Sequence, residues 1–300
     1  MRRPRSRTCE SAAHSAMTNP LRRVRSALFT PGTEAARLRK AITSGADVCI
    51  FDLEDSVPPE RVGEARAIVR EALEELAGSA RIWLRVHPAS SHEMEDDLRA
   101  MPLSTLEAVV LPKASHRDDV QTCRRAMERA PVPAELPVVP IIESAAGVLG
   151  CAGIAEVTGV ACLALGRFDL AADLGIDADG TSAALTMARA SVVLASTAER
   201  LAPPLDSPWL KIRDLDGLRA AAERARADGF GGMLVIHPSH LTTVNEVFSP
   251  TANELAWAQG IVASSAEAQS RGRGAYAHAG EMVDEAIVKR ARAILREAQP

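Results

Sequence analysis

Glu143 closes the apolar run "LPVVPIIE" (136–143), where a buried strand would hand over to the turn "SAAG". Other carboxylates stand at the ends of similar runs. Asp52, Glu54 and Asp55 close "DVCIFDLED" (47–55), and Asp169 closes "ACLALGRFD" (161–169). Cations end two more, Arg85 in "LRVHP" and Lys113 in "VVLPK". Carboxylates opposed by Arg and Lys suit a hard divalent cation carrying an anionic ligand. Mg²⁺ takes oxygen ligands in near-octahedral geometry, keeps several waters, and is held by one or two carboxylates. Glu143 and Asp169 end consecutive runs, so they are the candidate pair. Taken singly, each is equally a helix cap or one half of an ion pair.

Arg85 faces the same end if Leu84 and Val86 turn the other way, and a guanidinium there binds a carboxylate through two parallel bonds. The plain alternative is a pairing with Asp52 or Glu54 that only neutralises the rim. Lys113 can serve either purpose. Asp52 and Glu54 share a strand face, so one of them can hydrogen-bond water around a cation; helix-start chemistry would use the same residues. His87 and His237 each precede a proline, lack metal-ligand spacing, and are read as structural or as support behind the residues that bind.

These residues need a frame that brings strand ends together. Apolar runs at 24–32, 47–55, 81–88, 107–113, 137–144, 161–169, 207–212 and 232–238 alternate with stretches of helical periodicity, such as 33–45, 61–78 and 214–229. Eight such units predict an α/β fold, a (β/α)8 TIM barrel over 24–240 with a C-terminal helical extension or lid over 241–300. The seventh run, broken by prolines, is the weakest strand. A doubly wound open sheet is the alternative, but "TPGTEAA" is not the Gly-rich turn such a sheet carries. "GFGG" precedes the eighth strand and reads as a tight turn. "SRGRGAYAHAGEM" (270–282) reads as a flexible loop before a last amphipathic helix.

The chain has 300 residues, 47% hydrophobic, 25% charged and only 3% aromatic, with net charge −4. That balance suits a globular enzyme and argues against nucleic-acid and general polyanion binding. No stretch approaches the roughly 18 apolar residues of a membrane span. The five cysteines show no metal spacing and read as small buried hydrophobes of a reducing, cytoplasmic setting. Residues 1–23 read as a disordered tail or as the product of an early start, with Met17 the true one.

The pieces "RSALFTPG", "SGADVCIFDLEDSV", "LRVHP", "VVLPKA", "PIIESAAG", "LGRFDLAADLG", "GFGGMLVIHPSHLTTVNEVFSPT" and "GEMVDEAIVKRARAIL" run in order from about 24 to 296. Together they resemble the citrate lyase β-subunit-like family of the HpcH/HpaI aldolase superfamily, which includes malyl-CoA and related CoA-ester lyases. The resemblance implies a TIM barrel, dependence on Mg²⁺ (or Mn²⁺), and a metal-stabilised enolate formed as a carbon–carbon bond next to a thioester or carboxylate is cut or made. It implies Glu143 and Asp169 as metal ligands, Arg85 as the contact to a substrate carboxylate, and Phe29, Pro31, Lys113 and Gly166 around the substrate. Asp284 in "GEMVDEA" matches an acid/base that reaches a neighbouring subunit's site, which implies a homotrimer or hexamer.

The implied substrate is an acyl-CoA of the citryl, malyl or citramalyl kind, or a hydroxy or keto acid. Two other readings stay open, a subunit that needs an acyl carrier partner, and a malate-synthase-like condensing thioesterase. Arg167 and Phe168 in "LGRFD", with Met233 and His240 near "VIHPSH", depart from residues frequent in relatives. The pyruvate-aldolase branch, with its catalytic His after the acidic motif of the second strand, is disfavoured by Asp55 at the end of "DLED".

Overall fold

A computed structural model describes residues 21–130, 136–180, 182–270 and 275–298. The N-terminal tail to residue 20, including Cys9 and Met17, lies outside them. Eight parallel strands close into a barrel: β1 (Ser26–Pro31), β2 (Val48–Asp52), β3 (Ile82–Arg85), β4 (Ala108–Leu111), β5 (Val138–Ile142), β6 (Ala164–Leu165), β7 (Leu205–Asp206) and β8 (Gly232–Val235). Ser26–Leu28 of β1 pair with Met233–Val235 of β8 and seal the ring. The helices around it are α1 (Ala35–Ala41), α2 (Val62–Glu75), α3 (Glu93–Ala100), α4 (Arg117–Glu128), α5 (Ala145–Ala155), α6 (Arg167–Leu174), α7 (Ala183–Ala198), α8 (Leu215–Asp228) and α9 (Leu241–Val247).

Side chains alternate across a strand, so each strand feeds two cores. Ala27, Ile50, Trp83, Val110, Ile141, Ala164, Leu205 and Leu234 fill the inside of the barrel. Leu28, Phe51, Leu84, Val109, Ile142 and Val235 pack outward against the helices. The same two-residue step continues to the C-terminal ends. It carries Phe29, Asp52, Arg85 and Glu143 onto the inner face, directly above the apolar plug.

Three expectations need correction. The seventh strand is Leu205–Asp206 and not 207–212, because Pro208 has no N–H for a ladder and Ser207 turns back to donate its hydroxyl to the Leu165 carbonyl, 2.8 Å. The sixth is only two residues long. Gly166 caps α6, so Asp169 sits in the first turn of a helix and not at a strand end. The predicted loop at 270–282 contains, in its described part, an antiparallel hairpin of β9 (Tyr276–His278) and β10 (Glu281–Val283).

α9 packs on β8, β1 and α8 as the outer helix of the eighth unit, and further elements follow Pro250. They are α10 (Ala252–Ser270), the hairpin and α11 (Glu285–Glu297), which share a small core of Ala258, Ile261, Val283, Val288, Ala291 and Ile294. Arg226 to Glu254 (2.9 Å) and Arg23 to Glu297 (3.1 Å) tie this unit to the barrel. Both anchors lie at the end opposite the strand C-termini. Before β8, Gly229 ends α8 in the left-handed region, φ 103°, which confirms the tight turn read from "GFGG". Among the described residues no helix is long and apolar enough to cross a membrane. Cys49, Cys123, Cys151 and Cys162 are free and buried.

Candidate active site

Glu143 is 5% exposed, one residue past β5, on the inner face. The backbone N–H of Lys113 donates to its Oε1 at 2.7 Å. Lys113 makes that contact from the left-handed region, φ 55°, a strained conformation for a residue with a Cβ. The side chain of Glu143 also presses on the Cα of Gly166, where a Cβ would overlap its carboxylate. Ser144 then caps α5 by accepting from Gly147 N–H at 3.0 Å. Gly147 in turn lets α5 approach the Ala114 carbonyl, where a Cβ would come within 2.6 Å. The carboxylate is thus held by backbone from two neighbouring loops.

Among the described residues no side-chain cation forms an ion pair with it, and Arg85 acts on it only from a distance. Burial pushes the Glu143 carboxyl up to about 8, and the charges of Asp169 and Glu54 add to that shift against the Lys113 N–H and Arg85. Asp169 is exposed, and among the described residues its side chain makes no hydrogen bond or ion pair. A buried carboxylate whose charge is opposed by a nearby acid, with no ion-paired cation among the described residues, fits a divalent cation completed by water and substrate oxygens. Among the described residues no group of three or more His, Cys, Asp or Glu is placed to hold a metal ion, so a cation here would rest on these two carboxylates with water and substrate oxygens. An open site of two carboxylates is what Mg²⁺ chemistry uses.

Opposite them stands a charged network. Arg85 donates Nε and Nη2 to the two oxygens of Asp52, both at 2.6 Å, and lies over the Phe29 ring at 4.5 Å. The bidentate edge that could have taken a substrate carboxylate is therefore occupied. Nη1 donates to Asp55 at 3.4 Å and lies 3.3 Å from Glu54, with its second hydrogen left for another acceptor. Burial alone would lower the Arg85 pKa, but Asp52 outweighs it and holds the guanidinium charged. Asp52 also accepts from the Ser56 hydroxyl and from Glu54 N–H, and these bonds with Arg85 keep it ionised despite burial.

Glu54 is 5% exposed and pairs with Lys113 Nζ through Oε1, while its Oε2 is buried without a hydrogen bond. Arg85 Nη1 lies at ion-pair distance from that oxygen but outside hydrogen-bond geometry. Burial pushes the Glu54 carboxyl up. Pro31 pairs in register with Asp52, and Gly32 N–H donates to the Asp52 carbonyl at 2.9 Å.

The sequence reading brought together Phe29, Pro31, Asp52, Glu54, Asp55, Arg85, Lys113, Glu143 and Gly166, and the fold does collect them at one end. It did not see that Phe29 supports Arg85 or that the Lys113 main chain, and not only its ammonium, orients Glu143. Asp284 stands apart. It caps α11, accepting from Ala286 and Ile287 N–H at 3.0 and 3.1 Å, within the C-terminal unit. The Arg167 guanidinium lies near Asp179 (3.9 Å) and Asp206, outside the ring of inner-face residues. His87, His237 and His240 are held by Asp97, Ser239 and the Ile212 carbonyl.

Residues 25–238 match the model of a family described as HpcH/HpaI aldolase/citrate lyase. A "Citrate lyase subunit beta-like protein" from Deinococcus radiodurans is 33% identical, covering 93% of this chain and 99% of its own. A "(3S)-malyl-CoA thioesterase" from Cereibacter sphaeroides is 33% identical over 92% of this chain and 94% of its own. Among solved structures, protein CitE from Mycobacterium tuberculosis in complex with magnesium, acetoacetate and coenzyme A superposes with a TM-score of 0.74. It is 31% identical and covers 92% of this chain and 98% of its own.

Proposed function

Because the chain belongs to the HpcH/HpaI aldolase/citrate lyase family, we propose that it is a Mg²⁺-dependent carbon–carbon lyase. Its substrate is a CoA thioester of a hydroxy dicarboxylic acid, of the citryl, malyl or citramalyl kind. One observation carries the reading. Glu143 is a buried carboxylate at the barrel mouth with Asp169 near it, and neither forms an ion pair among the described residues.

Glu143 and Asp169 hold Mg²⁺ (or Mn²⁺). When bound, the cation supplies positive charge to an oxygen that becomes negative as the carbon–carbon bond breaks. Arg85, fixed by Asp52 and Phe29, presents Nη1 to a substrate carboxylate and adds to that stabilisation. Asp52, Glu54 and Asp55 hold Arg85 and Lys113 in place and set the order of water at the rim. Gly166 leaves room for the Glu143 carboxylate and so borders the substrate beside it. A base takes the substrate's hydroxyl proton as the bond breaks, and Asp284 delivers a proton to the enolate carbon from a neighbouring copy in a homotrimer or hexamer. The protein works in the cytoplasm, where buried free thiols persist.

The test is the isolated protein with malyl-, citramalyl- and citryl-CoA, with and without Mg²⁺. Glu143→Ala is expected to lose roughly 10²–10³ in turnover and to lose the rise in melting temperature that Mg²⁺ gives the wild type. A variant as active as wild type would end the assignment. The thioesterase relative favours a second reading, hydrolysis of the thioester. Malyl-CoA separates the two, because cleavage yields acetyl-CoA and glyoxylate while hydrolysis yields malate and free CoA. Turnover only with an added acyl carrier protein would mark a carrier-dependent subunit.

A further inference from the structure

Among the described residues three that are not glycine take a left-handed backbone conformation, Lys113 (φ 55°), Arg200 (φ 56°) and Ala279 (φ 48°). Arg200 follows the end of α7, and Ala279 shares the turn of the β9–β10 hairpin with Gly280. At those two places the conformation only reverses the chain. Lys113 follows Pro112 in the turn that leaves β4, a position where glycine is the residue expected. A lysine there carries a steric cost that glycine would not. It also makes contacts in two opposite directions. Its N–H donates to Glu143 Oε1 at 2.7 Å, toward β5. Its ammonium pairs with Glu54 and, at 3.3 Å, with Asp55, at the end of β2.

We propose, on the reading of Glu143 as a Mg²⁺ ligand, that Lys113 is a positioning residue. The grip of Glu54 and Asp55 on its ammonium holds its backbone in the strained conformation that aims its N–H at Glu143. The torsion φ sets the angle between a residue's N–H and its Cα–Cβ bond. With the N–H directed at β5, a φ of 55° sends the side chain the other way, across the end of β3 to β2. A relaxed φ would give up one contact or the other. Glu54 is suited to the grip, because it is only 5% exposed. Among the described residues, losing the ammonium would leave that carboxylate with Arg85 as its one cation, 3.3 Å away and outside hydrogen-bond geometry. The pair therefore resists opening.

Charge alone predicts the opposite effect. An ammonium near the site repels a dication, so removing it should tighten Mg²⁺ binding. If the ammonium instead holds a strained backbone, removing it lets residue 113 relax and costs Glu143 its N–H, which weakens Mg²⁺ binding. Glycine separates the two, because it keeps the N–H and adopts a positive φ freely. Glu54 then acts on the metal ligand through the backbone of Lys113, without touching the metal.

Calorimetric titration of the full chain with Mg²⁺, in the absence of substrate, tests it. Lys113→Met is expected to bind Mg²⁺ about 10–100-fold more weakly than wild type, the usual effect of disturbing what orients a ligand. Lys113→Gly should bind within about fivefold of wild type, or more tightly, although it too lacks the ammonium. Glu54→Gln should weaken binding in the wild-type background and leave Lys113→Gly unaffected. If Lys113→Met does not melt cooperatively, the Glu54→Gln comparison decides by itself. The proposal is overturned by a folded Lys113→Met that binds as tightly as wild type, or by a Lys113→Gly that loses as much as Lys113→Met. A Glu54→Gln loss that persists beside Lys113→Gly overturns it too, and each of these results leaves Glu143 a ligand. A wild type that takes up no Mg²⁺ would instead sink the metal-dependent reading, and this proposal with it.

Discussion

Glu143 shows how a single carboxylate can be costly and useful at once. Its burial is uncompensated by a side-chain cation, and the fold holds it with the Lys113 N–H and against the backbone of Gly166. A methyl at 166 has nowhere to go except into the carboxylate. Gly166→Ala is expected to weaken Mg²⁺ binding by about 10–100-fold, the usual effect of disturbing what orients a ligand. It should also cost about 1–3 kcal/mol of stability as overpacking. Melting curves in EDTA and over a Mg²⁺ titration separate the two effects. Unchanged Mg²⁺ affinity in a folded Gly166→Ala protein would mean that Glu143 is not the ligand.

At the scale of elements, the loop from β3 to α3 is pinned by a buried acid. Asp97 is fully buried and accepts from Arg66 Nε (2.8 Å), from His87 N–H (2.8 Å) and from His87 Nδ1 (2.7 Å). Arg66 belongs to α2, so one carboxylate joins α2, α3 and the end of β3, two residues beyond Arg85. Burial alone would lower the His87 pKa, but the hydrogen bond and charge of Asp97 outweigh it and raise the value above 6.5.

A raised folded-state pKa means that the stabilisation is complete below pH 6.5 and is lost as pH climbs through the raised value. His87→Asn is therefore expected to lower the urea midpoint most below pH 6.5, with the gap closing in mild alkali. A gap that is constant with pH would show that the imidazole charge contributes nothing.

At the scale of the whole molecule, the question is how Asp284 reaches a substrate. The C-terminal unit is anchored through Glu254 and Glu297 at the end of the barrel away from the mouth. α11 then carries Asp284 about 20 Å from the Glu297 anchor, at 1.5 Å per residue. In the proposed mechanism the residue serves a neighbouring copy. Co-expression of Asp284→Ala with Glu143→Ala tests this. Assemblies of mixed subunits should recover about a quarter of wild-type turnover, because random pairing restores an intact site in that share of cases. Recovery no greater than the sum of the two separate variants would place Asp284 with its own barrel, or outside the reaction.

Some of this could be read from the chain alone. Alternating apolar runs and helical stretches imply the barrel, and charged residues ending those runs imply where the chemistry gathers, because local periodicity and strand polarity are properties of the sequence. Other features depend on partners far apart in the chain. That Arg85 gives its bidentate edge to Asp52, that a strained Lys113 backbone orients Glu143, and that Asp169 begins a helix were settled by neighbouring strands and loops packing together. The strand at 205–206 is the clearest case. Two residues are too few for a period, and only the ladder offered by β6 and β8 makes them a strand.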